Sequence, residues 1–280
     1  MKFADKLLAA SRGNNSLLCV GLDPDPKRMP VSDVFDFNKA VVDATFDLVC
    51  AYKPNLAFYE ALGIEGLQAL QSTVDHIRRR APGVVIIGDA KRGDVGNTAE
   101  AYARALFRVW GFDGATVNAY GGHDAILPFL EHDDRGVFIW CRSSNPGAGD
   151  LQDLPVLSGV EGTVSDAGEG QAMYKQVAMK AREWNTRGNV GLVVGATYPG
   201  ELEAVRGLCP ELPILVPGVG AQGGDLEASV AAGVDSKGER AIFASSRQVL
   251  YASRGSDFVD AARNEAVKLR DQINRCRGKS

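Results

Sequence analysis

The sequence predicts an α/β fold of the (β/α)8 TIM-barrel class, with residues 1–280 forming a single domain. Three observations lead to this prediction: eight short apolar runs, amphipathic segments between them, and a uniform composition without a linker. A chain of 280 residues with 45% apolar residues can bury one large core. Barrels of this class commonly reach this size as one domain.

The predicted strands are short apolar runs that are rich in β-branched residues. They are continuously apolar and do not alternate with polar residues, which is typical of strands that are covered on both faces of a parallel sheet. The runs are residues 17–22, 50–53, 84–87, 115–118, 137–141, 190–194, 214–216 and 241–244.

The predicted helices lie between these runs. Amphipathic stretches occur at residues 67–79, 172–184 and 226–232. After Val95, Asn97 is predicted to cap a further helix with Glu100 three residues later, and this helix should end at Gly111. Its apolar face is predicted to contain Tyr102, Leu106, Val109 and Trp110.

The segment 143–170 is the least regular part of the chain, because it is rich in Gly, Ser and Asp and has no clear strand. A βα connection of this length is more often an active-site cover than a domain boundary. An ordinary surface excursion is the alternative.

Composition excludes several classes of function. The formal net charge is -4 and the basic residues are dispersed, so we expect no nucleic-acid polymer as a partner and a small phosphate ligand, if any. The five cysteines are widely separated and form no C-x-x-C motif, which favours a reduced, cytoplasmic protein. The first 15 residues lack the apolar centre of a signal peptide, and the apolar runs are too short to cross a membrane.

We also predict that the protein binds no metal. His123 and His132 flank the fourth βα connection without a Cys or Glu at ligand spacing, and His76 lies in an amphipathic helix. The tryptophans are predicted to pack in the core or between helices rather than to form a stacking platform. They are Trp110, Trp140 and Trp184.

Polar and charged residues follow the predicted strands. In a TIM barrel the carboxyl ends of the strands form the active-site face, so these residues are candidates for catalysis and binding. They are Asp23 after the first run, Lys53 at the end of the second, Asp89, Lys91 and Asp94 after the third, Ser143 and Ser144 after the fifth, Pro217 to Gly224 after the seventh, and Ser245, Ser246 and Arg247 after the eighth.

The densest group of charges follows the third run. In a strand, residues i and i+2 point to the same face, so Asp89 and Lys91 are predicted to project together into the barrel mouth, with Lys53 beside them. Alternating ammonium and carboxylate groups attract one another, and this attraction keeps the lysines protonated. A lone D-x-K motif is more often a solvated turn, but here two other strands also end in charges.

The glycines after the seventh run indicate a phosphate site. They allow backbone N–H groups to approach an anion, and Arg247 after the eighth run can bind phosphate oxygens in a bidentate manner. TIM barrels often bind phosphate at this place. Pro217 and Ser246 are predicted to contact the same ligand.

The motif D-A-K-R-G-D-V-G-N-T-A resembles the signature of orotidine 5′-phosphate decarboxylases, in particular of their longer bacterial subgroup. The segments K-P-N-x-A-F-Y-E at residues 53–60, P-G-V-G-A-Q-G-G-D at 217–225 and S-S-R at 245–247 are also similar. The resemblance extends from Leu22 to Arg247. It implies decarboxylation of orotidine 5′-monophosphate to uridine 5′-monophosphate, the last step of de novo pyrimidine nucleotide synthesis, without a cofactor.

The resemblance also implies roles at the reacting end of the substrate. Asp23 and Lys53 are similar to the residues that bind the ribose hydroxyls, and Lys53 also joins the charged array. Asp89 is similar to the carboxylate that faces the substrate carboxylate, and Lys91 to the proton donor for C6.

Further implied roles concern the pyrimidine, the phosphate and the subunit interface. Ser144 is similar to the pyrimidine contact, although the neighbouring Ser143 leaves this choice open. Gln222 joins Arg247 as the phosphate clamp. The resemblance implies a homodimer with shared active sites, in which each subunit donates residues to its partner's site. These residues are Asp94 and Thr98.

Two alternatives remain at this stage. A sister decarboxylase or aldolase acting on a sugar phosphate shares the D-x-K-x-x-D strand, but it recruits magnesium through additional acidic residues. A barrel that only binds nucleotides or a partner protein is the other alternative. Lys53 and the complete glycine segment argue against the first, and charges at the expected strand ends argue against the second.

Overall fold

The computed structural model describes residues 1–157, 170–219 and 225–278, and its centre is a closed barrel of eight parallel strands. The strands follow one another around the barrel in chain order, and the last pairs with the first. They are β1 (Leu18–Leu22), β2 (Ala51–Pro54), β3 (Val85–Arg92), β4 (Gly114–Val117), β5 (Gly136–Arg142), β6 (Val190–Val194), β7 (Ile214–Pro217) and β8 (Ala241–Ser245). The predicted TIM-barrel class is therefore confirmed.

Strand β3 extends to Arg92, further than the apolar run 84–87 predicts, and its last part is irregular. The register with β4 shifts between Gly88 and Arg92, and Lys91 has a positive φ of 49°. Left-handed backbone is uncommon for a residue with a side chain. The strand therefore carries Asp89 and Lys91 in an irregular stretch, whereas the prediction assumed a regular pleat.

The helices lie outside the strands and cover them. They are α1 (Phe3–Gly13), α2 (Val34–Thr45), α3 (Leu56–Glu60), α4 (Gly63–Arg80), α5 (Gly96–Arg104), α6 (Leu127–Leu130), α7 (Gly149–Gln152), α8 (Met173–Trp184), α9 (Pro199–Leu208), α10 (Leu226–Gly233), α11 (Arg247–Leu250) and α12 (Phe258–Arg277). The predicted segments 67–79, 172–184 and 226–232 correspond to α4, α8 and α10. Neither α1 nor α12 was predicted.

Two details predicted for the helix after Val95 are wrong. Helix α5 has Val95 at its N-cap without a side-chain cap bond, so Asn97 lies inside the first turn and does not cap it. The chain then forms a π-helical turn at Ala105–Val109. A π-turn adds a residue to the helical repeat and rotates the following side chains, which explains why Val109 is exposed while Leu106 is buried.

The irregular segment after β5 contains short elements that the sequence pattern did not predict. A 3-10 turn at Pro146–Ala148 leads into α7, and Pro155–Val156 pairs with Gln171–Ala172 as a short antiparallel ladder. Residues 158–169 lie outside the described residues. The ladder joins the two ends of the long connection next to α8.

Helix α1 closes the amino-terminal end of the barrel. Phe3 is buried and meets the ring of Phe138 edge to face, with the ring centroids 5.7 Å apart. Gly136 leaves room for this contact, because a Cβ atom there would lie 2.3 Å from the Phe3 ring. The opposite end, where the strands have their carboxyl ends, contains an open cavity.

The buried carboxylate of Asp113 joins three basic side chains at the same closed end. Lys6 of α1 forms an ion pair with it, Arg78 Nη1 lies 2.6 Å from Oδ2, and Arg135 Nη1 lies 3.6 Å from Oδ1. The backbone N–H of Ile86 also donates to Oδ2 at 2.8 Å. This cluster connects α1, α4 and the starts of three strands.

Candidate active site

A polar cavity of about 350 Å³ lies at the carboxyl end of the barrel. Its wall includes nine residues that the sequence predicted as candidates, which are Asp23, Lys53, Asp89, Pro217, Gly218, Val219, Ser245, Ser246 and Arg247. These residues come from the ends of β1, β2, β3, β7 and β8. The barrel therefore brings together side chains that are more than 200 positions apart in the chain.

Lys53, Asp89 and Lys91 form a continuous charged array at this cavity. Nζ of Lys53 lies 2.8 Å from Oδ2 of Asp89, and Nζ of Lys91 lies 2.7 Å from Oδ1 of the same carboxylate. The Lys53 and Asp89 side chains are buried, whereas 37% of the Lys91 side chain is exposed. Lys91 is thus the most exposed member of the array.

The electrostatics of the array keep its buried members charged. Burial alone raises the pKa of a carboxyl group, but Lys53 and Lys91 lower the pKa of Asp89 well below its usual range. Burial likewise opposes the charged form of Lys53, but the carboxylates of Asp89 and Asp23 raise the pKa of Lys53 above its ordinary value. At neutral pH the cavity wall therefore presents the carboxylate of Asp89 paired with the protonated amine of Lys53.

The connection after β1 is held against α11 by a tyrosine that sequence reasoning missed. The hydroxyl of Tyr251 accepts a bond from the Asp25 N–H at 2.6 Å and donates to the Asp23 carbonyl at 3.0 Å. The Arg28 guanidinium lies 4.2 Å from the centroid of the Tyr251 ring. Tyr251, Asp25 and Arg28 all contribute to the cavity wall, as does Asn55 at the end of β2.

The predicted phosphate end is formed by the residues after β7 and β8. Gly218 has a positive φ of 91°, which favours glycine, and the exposed Arg247 begins α11. Among the residues that the structure describes, no acidic side chain pairs with Arg247. Gln222, the predicted second member of the clamp, belongs to residues 220–224, which lie outside the described residues.

A second, more apolar cavity of about 610 Å³ adjoins Trp140 and the start of the long connection after β5. Ser143 contributes to its wall. Ser144 packs closely against Gly195, since a Cβ atom added to Gly195 would lie 2.9 Å from the Cβ of Ser144. Both serines are near the mouth of the barrel. Neither of the two predicted alternatives for the pyrimidine contact is eliminated by this arrangement.

Trp140 packs against the buried residues inside the barrel, as predicted, and it also lies in the wall of the second cavity at the barrel mouth. It is half-buried, and Nζ of Lys91 lies 5.9 Å from the centroid of its ring. Trp110 and Trp184 also pack against the core, as predicted. An apolar run gives no information about which of its side chains lies at the rim, so sequence reasoning could not single out Trp140.

Asp94 and Thr98 lie on the rim of the barrel and do not line either of these two cavities. The Asp94 backbone N–H donates to the Ala125 carbonyl at 3.3 Å, and its carboxylate accepts from the Val95 N–H at 2.7 Å. Val95 and Tyr120 beside them are exposed by 70% and 83%. Within one chain, Asp94 and Thr98 therefore lie outside the cavity that Lys53 and Asp89 line.

Two features are absent from the described residues. These residues contain no group of three His, Cys, Asp or Glu side chains arranged to hold a metal ion. In the same residues no helix is both long and apolar enough to cross a membrane. The array itself offers fixed charges and, in Lys91, an ammonium group that can transfer a proton.

Comparisons with known proteins agree with the geometry of the site. Residues 16–262 match the profile of the orotidine 5'-phosphate decarboxylase / HUMPS family. The chain is 52% identical over 281 residues to the orotidine 5'-phosphate decarboxylase of Roseiflexus castenholzii, with 98% of both chains covered. It is 48% identical to that of Ralstonia pickettii, with 99% of this chain and 100% of the relative covered. The solved structure of Leishmania donovani OMP decarboxylase superposes with a TM-score of 0.84 at 36% identity and covers 100% of both chains.

Proposed function

The chain belongs to the orotidine 5′-phosphate decarboxylase / HUMPS family, and we propose that it decarboxylates orotidine 5′-monophosphate to uridine 5′-monophosphate without a cofactor. This reaction is the last step of de novo pyrimidine nucleotide synthesis. The substrate is a small nucleotide, and no nucleic-acid polymer or membrane takes part. We further propose that residues 1–280 act as one domain in the cytoplasm, where such nucleotides are made.

The observation that carries this proposal is the array of Lys53, Asp89 and Lys91 at the open end of the barrel. Loss of carbon dioxide from C6 leaves an electron pair in the plane of the pyrimidine, where the ring cannot delocalise it well. A fixed positive charge next to C6 stabilises this carbanion. The exposed ammonium of Lys91 supplies that charge and then donates a proton to C6.

Asp89 has two roles in the proposed mechanism. It fixes both lysines through its two carboxylate oxygens, and it faces the carboxylate of the bound substrate. Repulsion between two carboxylates raises the free energy of the bound substrate, and this repulsion disappears when carbon dioxide leaves. The bond from C6 to the carboxylate carbon breaks, and the bond from C6 to a proton of Lys91 forms.

The remaining cavity residues bind the rest of the nucleotide. We propose that Asp23 and Lys53 contact the ribose hydroxyls and that Arg247 binds the phosphate together with Pro217 and Ser246. Gln222, the other proposed phosphate ligand, lies outside the described residues. The pyrimidine extends towards Trp140, with Ser144 or Ser143 as its polar contact. Binding energy from the phosphate, which does not react, orients the ring against Lys91.

We also propose a homodimer in which Asp94 and Thr98 complete the partner's site. The separation of these two residues from the cavity of their own chain supports this arrangement, as does the exposed apolar surface at Val95 and Tyr120. In a two-fold dimer, each subunit donates to its partner what it also receives.

The proposed function is tested by incubating the purified chain with orotidine 5′-monophosphate, with and without a metal chelator, while the pyrimidine absorbance is followed. We expect turnover that is equal in both conditions. Turnover that requires added magnesium, or no turnover of this nucleotide together with activity on a sugar phosphate, would contradict the proposal.

A further inference from the structure

The hydroxyl of Thr116 on β4 connects two residues of the charged array, Asp89 and Lys91. Thr116 is 1% exposed. Its Oγ1 donates to Oδ1 of Asp89 at 2.9 Å and accepts bonds from the backbone N–H groups of Ala90 and Lys91, both at 3.0 Å. One buried hydroxyl thus makes three hydrogen bonds to three consecutive residues.

These bonds coincide with the strained part of β3. Lys91 has a φ of 49°, and the register of β3 with β4 shifts between Gly88 and Arg92. Left-handed backbone at a residue with a side chain costs free energy and persists only where the surroundings fix it. Because Oγ1 of Thr116 accepts bonds from two consecutive N–H groups of this irregular stretch, it stabilises the conformation.

We propose that Thr116 is a positioning residue for the reaction, a role that rests on the proposed function of Lys91 and Asp89. Its hydroxyl sets the direction in which the Lys91 side chain leaves the strand, and it fixes one oxygen of the Asp89 carboxylate. Thr116 does not touch the substrate. Its removal should therefore change the alignment of the ammonium group with C6 more than it changes nucleotide affinity.

The test compares three substitutions that separate the hydroxyl from the methyl group of the side chain. Thr116→Val keeps the methyl and loses the hydroxyl, Thr116→Ser does the reverse, and Thr116→Ala loses both. We expect kcat for orotidine 5′-monophosphate to fall by about a hundredfold in the Val and Ala variants. KM and the Kd for uridine 5′-monophosphate should change little, and the Ser variant should retain most of the activity.

Thr73→Val is the matched control, because Thr73 is also a buried threonine whose Oγ1 donates to the Ala69 carbonyl at 2.7 Å and accepts from Asn38. It should lower the melting temperature without changing kcat per folded molecule. If the Val variant of Thr116 does not fold, the Ser and Ala variants decide the question by themselves.

Equal kcat in the Ser and Ala variants, or full activity in the Val variant, would overturn the positioning role. Either result would leave the decarboxylase proposal intact, since that proposal depends on turnover by the unmodified chain. A chain without any turnover would instead refute the proposed function.

Discussion

Nζ of Lys53 lies 2.8 Å from Oδ2 of Asp89, and both side chains are buried at the mouth of the barrel. This contact connects the ends of β2 and β3, which are adjacent strands. A buried charge that loses its partner is strongly destabilising. The pair therefore matters for stability as well as for the proposed chemistry.

The first prediction concerns the pH dependence of this contribution. The pKa of Asp89 is lower in the folded state than in the unfolded chain. The ionised carboxylate therefore contributes fully to the free energy of unfolding above the unfolded pKa of about 3.9, and this contribution is lost as the pH falls towards the pKa of the folded state. Asp89→Asn should lower the free energy of unfolding by about 3 kcal/mol at neutral pH.

Urea denaturation from pH 3 to pH 8 measures this difference. The difference in the free energy of unfolding between the unmodified chain and Asp89→Asn should be constant between about pH 5 and pH 8 and should become smaller below about pH 4. The raised pKa of Lys53 does not change this window, because its contribution is complete below its unfolded pKa of about 10.4. A difference that stays constant down to pH 3 would contradict the assignment.

The second prediction concerns Arg247, which should bind the phosphate equally in the ground state and the transition state. Arg247→Ala should raise KM by at least about tenfold with little change in kcat. A substrate without the phosphate should be affected little by the same substitution. Arg187→Ala is the control, because Arg187 is exposed just before β6 at the closed end of the barrel. Equal losses on both substrates would remove Arg247 from the phosphate site.

The third prediction separates stability from activity at the closed end of the barrel. Asp113→Asn leaves Lys6, Arg78 and Arg135 without a neutralising charge, and it should lower the free energy of unfolding by about 3 kcal/mol. The value of kcat per folded molecule should not change. Asp43→Asn is the control: the side chain of Asp43 is 33% exposed, and its loss should cost less than about 1 kcal/mol.

Chemical denaturation at neutral pH checks both variants. If Asp113→Asn cost no more than Asp43→Asn, the cluster would not be the anchor of α1 that its geometry indicates.

The fourth prediction concerns the shared active site. Lys91→Ala and Asp94→Asn should each be nearly inactive alone, but a mixture of the two should regain activity after the subunits exchange. Random exchange makes about half of the dimers mixed, and each mixed dimer has one intact site, so about a quarter of the normal activity should return. If Asp94 serves its own chain, each site keeps one defect and no activity returns, even though mass analysis detects mixed dimers.

The sequence predicted the strands well because parallel strands buried on both faces must be apolar throughout their length. It also predicted which charged residues gather at the mouth, since all strands of the barrel end on one face. The conformation of Lys91 could not be predicted, because Thr116 on the next strand fixes it. The available signal in the sequence was Thr116, a polar residue inside the apolar run 115–118.

Other features depend on partners that are distant in the chain. The bridge from Tyr251 to the backbone of Asp23 spans 228 positions, and the position of Trp140 at the rim follows from where β5 ends. The π-helical turn after α5 also has no signature in the hydrophobic pattern, which is why Val109 was assigned to the wrong face. Tertiary packing decides such features.

The central claim is that Lys91 delivers the proton that replaces carbon dioxide at C6. It is tested most directly by turnover in D₂O of orotidine 5′-monophosphate labelled with ¹³C in its carboxylate, using the unmodified chain, Lys91→Ala and the exposed control Lys268→Ala. The unmodified chain and the control should release one labelled carbon dioxide for each uridine 5′-monophosphate, with deuterium at C6 alone. Lys91→Ala should bind uridine 5′-monophosphate but lose at least about a thousandfold in turnover. If Lys91→Ala kept more than a few per cent of normal turnover, with deuterium still delivered to C6, the account would be contradicted.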